Sequence, residues 1–147
     1  MRIMICGDVV GRAGRKAITG NVPKLRERYD IDFVVVNGEN AAGGFGITPK
    51  ICDEFYGSGV DVITTGNHVW DHRDLIPHFD KETRFMQPHN FPKRTPGRGL
   101  AEYKDPRDRR TVVLHRMARL CIDPLDHPFA RSPGSLTDSR RRGTPND

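Results

Sequence analysis

The chain reads as an α/β protein built on a parallel sheet. Three apolar runs predict it: Ile3-Met-Ile-Cys6, Phe33-Val-Val-Val36 and Val60-Asp-Val-Ile-Thr64. Stretches of helical character separate them, and a strand–helix–strand rhythm of this kind implies parallel strands with helical crossovers. Phe33 to Val36 is the type of unbroken apolar strand that lies buried on both faces of such a sheet. Each run stops in glycine and then presents a residue able to hold a cation or move a proton: Gly7-Asp8, Gly38-Glu39-Asn40 and Gly66-Asn67-His68. In open α/β sheets, ligands bind at these carboxyl ends of the strands.

Taken in order, residues 2–7 form the first strand, and Asp8-Val-Val-Gly11 is the loop that leaves it. Arg12 to Thr19 reads as a short helix, which Gly20 and Pro23 should break or kink before Lys24 to Tyr29 resumes. Ile31 to Asn37 is the second strand. Asn37-Gly38 is a turn signal in its own right, and a loop with Gly43, Gly44 and Gly46 follows. Thr48-Pro49 opens the next helix in the preferred order, Thr as cap and Pro in the first helical position. That helix runs to about Tyr56, Gly57 ends it, and Val60 to Thr64 is the third strand. Asp71 is expected to cap a further helix, His72 to Phe79.

After Lys81 the regularity fades. Phe85 to Pro96 carries three prolines and reads as a long ordered loop. Gly99 to Tyr103 and Thr111 to Leu114 are expected to pair antiparallel around the turn Lys104-Asp-Pro-Arg-Asp108. Met117 to Asp126 holds a short apolar run, and residues 123–128 form a loop. From Ser132 onward neither period is present, so residues 1–131 are expected to be the folded domain and residues 132–147 a disordered basic tail.

The bulk composition narrows the function classes. At 147 residues the chain is one domain's worth. Its 35% hydrophobic content, with 15 Gly and 11 Pro, concentrates the core rather than spreading it. No window has the length of a membrane span, and the first residues lack a signal-peptide layout. Cys6, Cys52 and Cys121 are far apart and form no CxxC pair, which points to reduced thiols and a cytoplasmic location. The net charge of +5 is uneven: residues 1–92 hold 11 Lys/Arg against 12 Asp/Glu, whereas residues 93–147 hold 13 against 7. A basic end without interleaved aromatics is weak support for nucleic-acid binding. The loop glycines follow neither the GxGxxG nor the GxxxxGK[ST] spacing, which excludes dinucleotide and P-loop readings.

The chemistry then rests on five side chains. Asp8, Glu39, Asn40 and Asn67 are oxygen donors suited to hard or borderline ions such as Mn²⁺ or iron. A carboxylate can bridge two cations, and Glu39 is the only carboxylate of the central loop. Two-metal sites hold ions about 3.5–4 Å apart and clamp both the attacking and the leaving oxygen of a phosphoryl displacement. His68, next to Asn67, is placed to protonate a leaving alkoxide. His72 and His78 fall on a helix and read as surface or packing residues; His89, His115 and His127 show no ligand spacing.

Cys6-Gly-Asp-Val-Val-Gly-Arg12, Val36-Asn-Gly-Glu-Asn-Ala-Ala-Gly-Gly44 and Thr65-Gly-Asn-His-Val-Trp-Asp71 resemble the bacterial YmdB-like metallophosphoesterases of the calcineurin-like superfamily. Pro96-Gly-Arg-Gly99, Met117-Ala-Arg-Leu120 and Asp123-Pro-Leu-Asp126 extend the likeness. The resemblance implies an αββα sandwich and hydrolysis of cyclic nucleotides such as 2′,3′-cyclic AMP with two iron or manganese ions. It implies Asp8, Glu39 and Asn40 at the first metal, Glu39 and Asn67 at the second, and His68 as proton donor. It also implies three histidine ligands from a second half, two of them in a His-x-His, a pattern that this chain does not contain. The expectation is therefore an incomplete sandwich with its second half missing, whose uncovered strand faces favour a homo-oligomer. Two alternatives stand beside the phosphodiesterase: an inactive or binding-only fragment, and a basic nucleic-acid-binding module.

Overall fold

A computed structural model describes residues 1–92, 94–118 and 125–126. Four parallel strands form one sheet in the order β1-β2-β3-β4: β1 Ile3–Cys6, β2 Phe33–Asn37, β3 Val62–Thr64 and β4 Phe85–Met86. Strands consecutive in sequence are neighbours in space, so the expected crossovers are present. Register places Cys6 beside Val36 and Asn37 beside Thr64. The exits of β1, β2 and β3 therefore share one edge of the sheet. Val9 donates to the Asn37 carbonyl, Gly11 donates to that of Asn40, and Val10 and Asn40 form a parallel bridge, so the first two exits are laced together.

Alternation along each strand separates the core in two. Val34, Val36, Ile63 and Phe85 join Ile18 and Val22 of helix α1 (Gly11–Tyr29) and Ile51, Cys52 and Phe55 of helix α2 (Pro49–Gly57). The residues between them, Phe33, Val62 and Met86, face the opposite way, where Ala101, Tyr103 and Val113 cover them. Those three belong to an antiparallel hairpin, β5 (Leu100–Lys104) and β6 (Arg110–Leu114), which bears out the expected pair. Helices thus lie on one face of the sheet and a hairpin on the other. On β1, Ile3 and Ile5 remain 51% and 78% exposed.

Three expectations need correction. The first helix is not broken: α1 runs continuously through Gly20 and Pro23 to Tyr29, and Asp30 closes it in a left-handed conformation. A proline inside a helix costs about 3 kcal/mol, whereas fully burying an aliphatic side chain gains about 1.5–3 kcal/mol. Ile18 and Val22, both buried on this helix, outweigh the defect together. Next, Asp71 opens no helix over His72 to Phe79; it closes the short turn before it. Asn67–Trp70 and Arg73–Leu75 are 3₁₀ turns, and only His78–Lys81 (α3) is α-helical, because Pro77 lacks the N–H that a continuous helix would use. Finally, the long loop begins with β4, two buried residues paired with Ile63 and Thr64 and too short to carry a period. The expected boundary at residue 131, the basic tail, His127 and Cys121 lie outside the described residues.

The hairpin turn is locked to the start of the sheet by charge. The Asp32 carboxylate accepts from the Arg2 backbone N–H at 2.7 Å and pairs with the Arg109 guanidinium at 2.7 Å. Arg109 also holds Asp105, while Arg107 reaches Asp30. Arg109, with help from the Arg2 N–H, pulls the Asp32 carboxyl down from 3.8 to about 2. A depressed folded value means that the carboxylate's contribution is complete above about pH 3.8 and is lost as pH falls towards 2. Asp32→Asn should therefore lower the melting temperature at pH 7, with the deficit shrinking between pH 4 and pH 2. An equal deficit at both ends of that range, measured by circular dichroism, would contradict the ion-pair account.

Candidate functional site

The sheet edge brings the candidate residues together from three directions. Asp8 follows β1 across Gly7, and its Oδ2 accepts from the Asn40 side-chain amide at 2.6 Å. Glu39 follows β2 in a turn stabilised by Asn37, whose Oδ1 accepts the Glu39 N–H at 3.1 Å. Asn37-Gly38 is thus the structural turn expected of it. The Glu39 carboxylate extends to the β3 exit and rests on Gly66: a Cβ at that position would lie 1.6 Å from Oε2. Only glycine leaves room for the carboxylate there. Asn67, exposed, and His68 head the 3₁₀ turn that follows Gly66.

Two polar atoms at this junction, Glu39 Oε2 and Asn40 Oδ1, are buried and have no hydrogen-bond partner among the described residues. Buried acceptors are normally satisfied, and an unsatisfied pair marks a place where a donor or cation belongs. Burial raises the Glu39 carboxyl above its ordinary value of 4.5; the Asp8 charge pushes the same way, and His68 opposes it. Two carboxylates with mutual repulsion and an orphaned oxygen fit a cation better than they fit each other. Among the described residues, no three His, Cys, Asp or Glu side chains cluster closely enough to form a metal site by themselves. The donor set here is mixed, with two carboxylates and two carboxamides, as hard oxygen-ligand ions accept.

The surroundings of His68 contain what the sequence reading missed. Asp71 Oδ2 lies 2.9 Å from His68 Nδ1, so the residue expected to cap a helix instead orients this imidazole. The spacing of three was the available signal, hidden by the helix assignment. Phe45 sets its ring edge-on to His68, with centroids 4.9 Å apart, and is itself 61% exposed. His72, read as a surface or packing residue, hydrogen-bonds through Nε2 to the Phe45 carbonyl at 3.3 Å. Gly46 permits this packing: its φ is +69°, and a Cβ would meet the His72 ring at 2.6 Å. Arg15 of α1 ties down the same loop through the Ala41 carbonyl.

Cys6 and Cys52 are free thiols, and burial pushes both up, Cys52 to about 12. Neither is a ready nucleophile. No helix of the described residues is long and apolar enough to cross a membrane.

A carboxyl raised above its unfolded value binds protons more tightly when folded, so ionising Glu39 lowers stability as pH rises past 4.5. Glu39→Gln is expected to raise the melting temperature of the metal-free protein at pH 7. The advantage should close below about pH 4.5, where the native carboxyl is protonated. A variant less stable than the native chain at pH 7 would show that the carboxylate is not held at an energetic cost.

Comparison with known proteins identifies the family to which this chain belongs. The chain matches the profile of a family described as YmdB-like protein over residues 4–144. It is 39% identical over 142 residues to the 2′,3′-cyclic-nucleotide 2′-phosphodiesterase of Bacillus subtilis (strain 168), covering 97% of this chain and 53% of that protein. Its fold superposes on the crystal structure of a hypothetical protein from Thermus thermophilus with a TM-score of 0.84 at 33% identity, over 98% of this chain and 54% of the other. It superposes on a novel phosphatase from Mycoplasma pneumoniae with a TM-score of 0.80 at 24% identity, over 97% and 51%, a likeness of fold alone. The chain spans about half the length of these relatives. Matched over nearly all of its residues by the profile, this chain belongs to the YmdB-like family.

Proposed function

We propose that this chain carries one side of a two-metal phosphodiesterase site that hydrolyses cyclic nucleotides such as 2′,3′-cyclic AMP. The observation that carries the reading is the orphaned, buried Glu39 Oε2, wedged between Asp8 and the strand exit that bears Asn67 and His68. The 39% identity to a 2′,3′-cyclic-nucleotide 2′-phosphodiesterase supports the substrate class. On this reading the hairpin and the parallel sheet are part of a calcineurin-like sandwich that is incomplete in this chain.

Asp8, Glu39 and Asn40 would hold one ion and Glu39 and Asn67 a second, with iron or manganese suited to this oxygen set. When bound, the ions supply the positive charge that activates water and offsets the charge of the phosphate. The remaining work falls to the chain. Gly66 leaves room for the Glu39 carboxylate at this position, and the Asn37 turn fixes the Glu39 backbone beneath it. Asn40 orients Asp8 through their mutual hydrogen bond. Asp71 fixes the ring of His68 through Nδ1, which leaves Nε2 to pass a proton to the departing ribose oxygen. Phe45 restricts rotation of that ring. The free thiols Cys6 and Cys52 support a cytoplasmic location.

A binding-only chain is the second reading. It is favoured by the donor set, since all four oxygen ligands come from one sheet edge and no His-x-His is present in the sequence. Steady-state assays with 2′,3′-cyclic AMP and added Mn²⁺ separate the two. The phosphodiesterase reading expects turnover that Glu39→Ala abolishes and that His68→Ala lowers about 10²–10⁴-fold in kcat with KM little changed. Nucleotide binding without product would select the second reading, and turnover surviving in Glu39→Ala would overturn the site.

A further inference from the structure

The hairpin on the second sheet face also reaches the site. Immediately after β6, His115 turns back to the exit of β3 and hydrogen-bonds through Nε2 to the carbonyl oxygen of Thr65, 50 residues away in sequence. A carbonyl only accepts, so Nε2 carries the proton. The imidazole is anchored at its base as well. The His115 backbone N–H donates to the Gly99 carbonyl at 2.9 Å, and the His115 carbonyl accepts from His89 at 2.8 Å. These two segments touch so closely that a Cβ at Gly99 would lie 2.2 Å from the His89 Cα. The clamp therefore has little slack.

Thr65 is fully buried, and each of its polar groups has a partner. Its N–H and its hydroxyl both turn to the Met86 carbonyl, at 3.0 Å and 2.9 Å. Its carbonyl turns to His115. The chain then passes through Gly66, where a side chain would collide with the Glu39 carboxylate, and delivers Asn67 and His68. The direction of that delivery is set by the orientation of the Thr65–Gly66 peptide, and the side-chain group holding this peptide's carbonyl is the His115 imidazole.

We infer that His115 is a positioning residue: its bond to Thr65 aims the strand exit that carries Asn67 and His68. The inference rests on the reading above, in which those two residues work at the site. Burial lowers the pKa of His115, in keeping with a neutral ring that keeps this one N–H bond. Hydrogen-bond partners placed behind the groups of a metal site commonly change metal affinity or activity about 10–100-fold when removed.

Two variants separate aim from bulk. His115→Gln keeps an amide N–H at similar reach, whereas His115→Leu fills the space without a donor. Hydrogen–deuterium exchange of the metal-free chain reads the positioning directly. The Leu variant should exchange at least about tenfold faster over residues 65–71, with α1 and β2 unchanged, and the Gln variant should restore most of the protection. Mn²⁺ affinity, titrated on the same proteins, should fall about 10–100-fold for Leu and recover to within a few-fold for Gln. If His115→Leu does not fold, His115→Asn replaces it, because its shorter amide cannot reach Thr65. Unchanged exchange over residues 65–71, a uniform rise across the chain, or Gln no better than Leu would each overturn the inference. A native chain that binds no Mn²⁺ would overturn the metal reading instead, and the exchange data alone would then decide the role of His115.

Discussion

A carboxylate half-buried where three strand exits meet is the constraint around which the rest of the molecule is arranged. Glu39 cannot reach that position unless Gly66 has no side chain, and it cannot stay there without cost beside Asp8. Among the described residues, none supplies Glu39 Oε2 with a donor. Any fold that holds a charged group in this way must fix the surrounding backbone firmly, because a looser edge would let the carboxylate escape to solvent. The laced β1 and β2 exits, the Asn37 turn and the Thr65 contacts all do that work.

Rigidity at the edge derives from packing further back. Helices α1 and α2 bury Val22, Cys52 and Phe55 against Val34, Val36 and Ile63, and this core carries α1 through a proline that would otherwise end it. On the other face, the hairpin covers Phe33, Val62 and Met86, is held at its turn by the Asp32–Arg109–Asp105 ion pairs and at its end by His115. The hairpin therefore links the start of the sheet to the edge that bears the site. Ile3 and Ile5 on β1 remain exposed, and this chain spans about half the length of its relative.

Much of this was legible in the residues. Each apolar run ending in glycine and then a polar residue marked a strand exit correctly, since a buried parallel strand leaves a strong local signal. Thr48-Pro49 likewise announced α2: Thr48 accepts the Ile51 N–H, and Pro49 sits in the first turn. What stayed hidden depends on contacts distant in sequence. Pro23 looks like a break until the burial of Ile18 and Val22 is known. Asp71 resembles a cap until His68 is seen to occupy its carboxylate. β4 is two residues long and becomes a strand only because β3 is beside it. His115 has no motif, and only the return of the hairpin to Thr65 gives it a place near the site.

The central claim is that the carboxylate on Gly66 is held for a metal ion. Elemental analysis of the chain purified without chelator, alongside Glu39→Gln, tests it most directly. The account predicts iron or manganese in stoichiometric amount in the native chain and its loss in the variant. A native chain with metal content near zero, or equal content in both proteins, would contradict it.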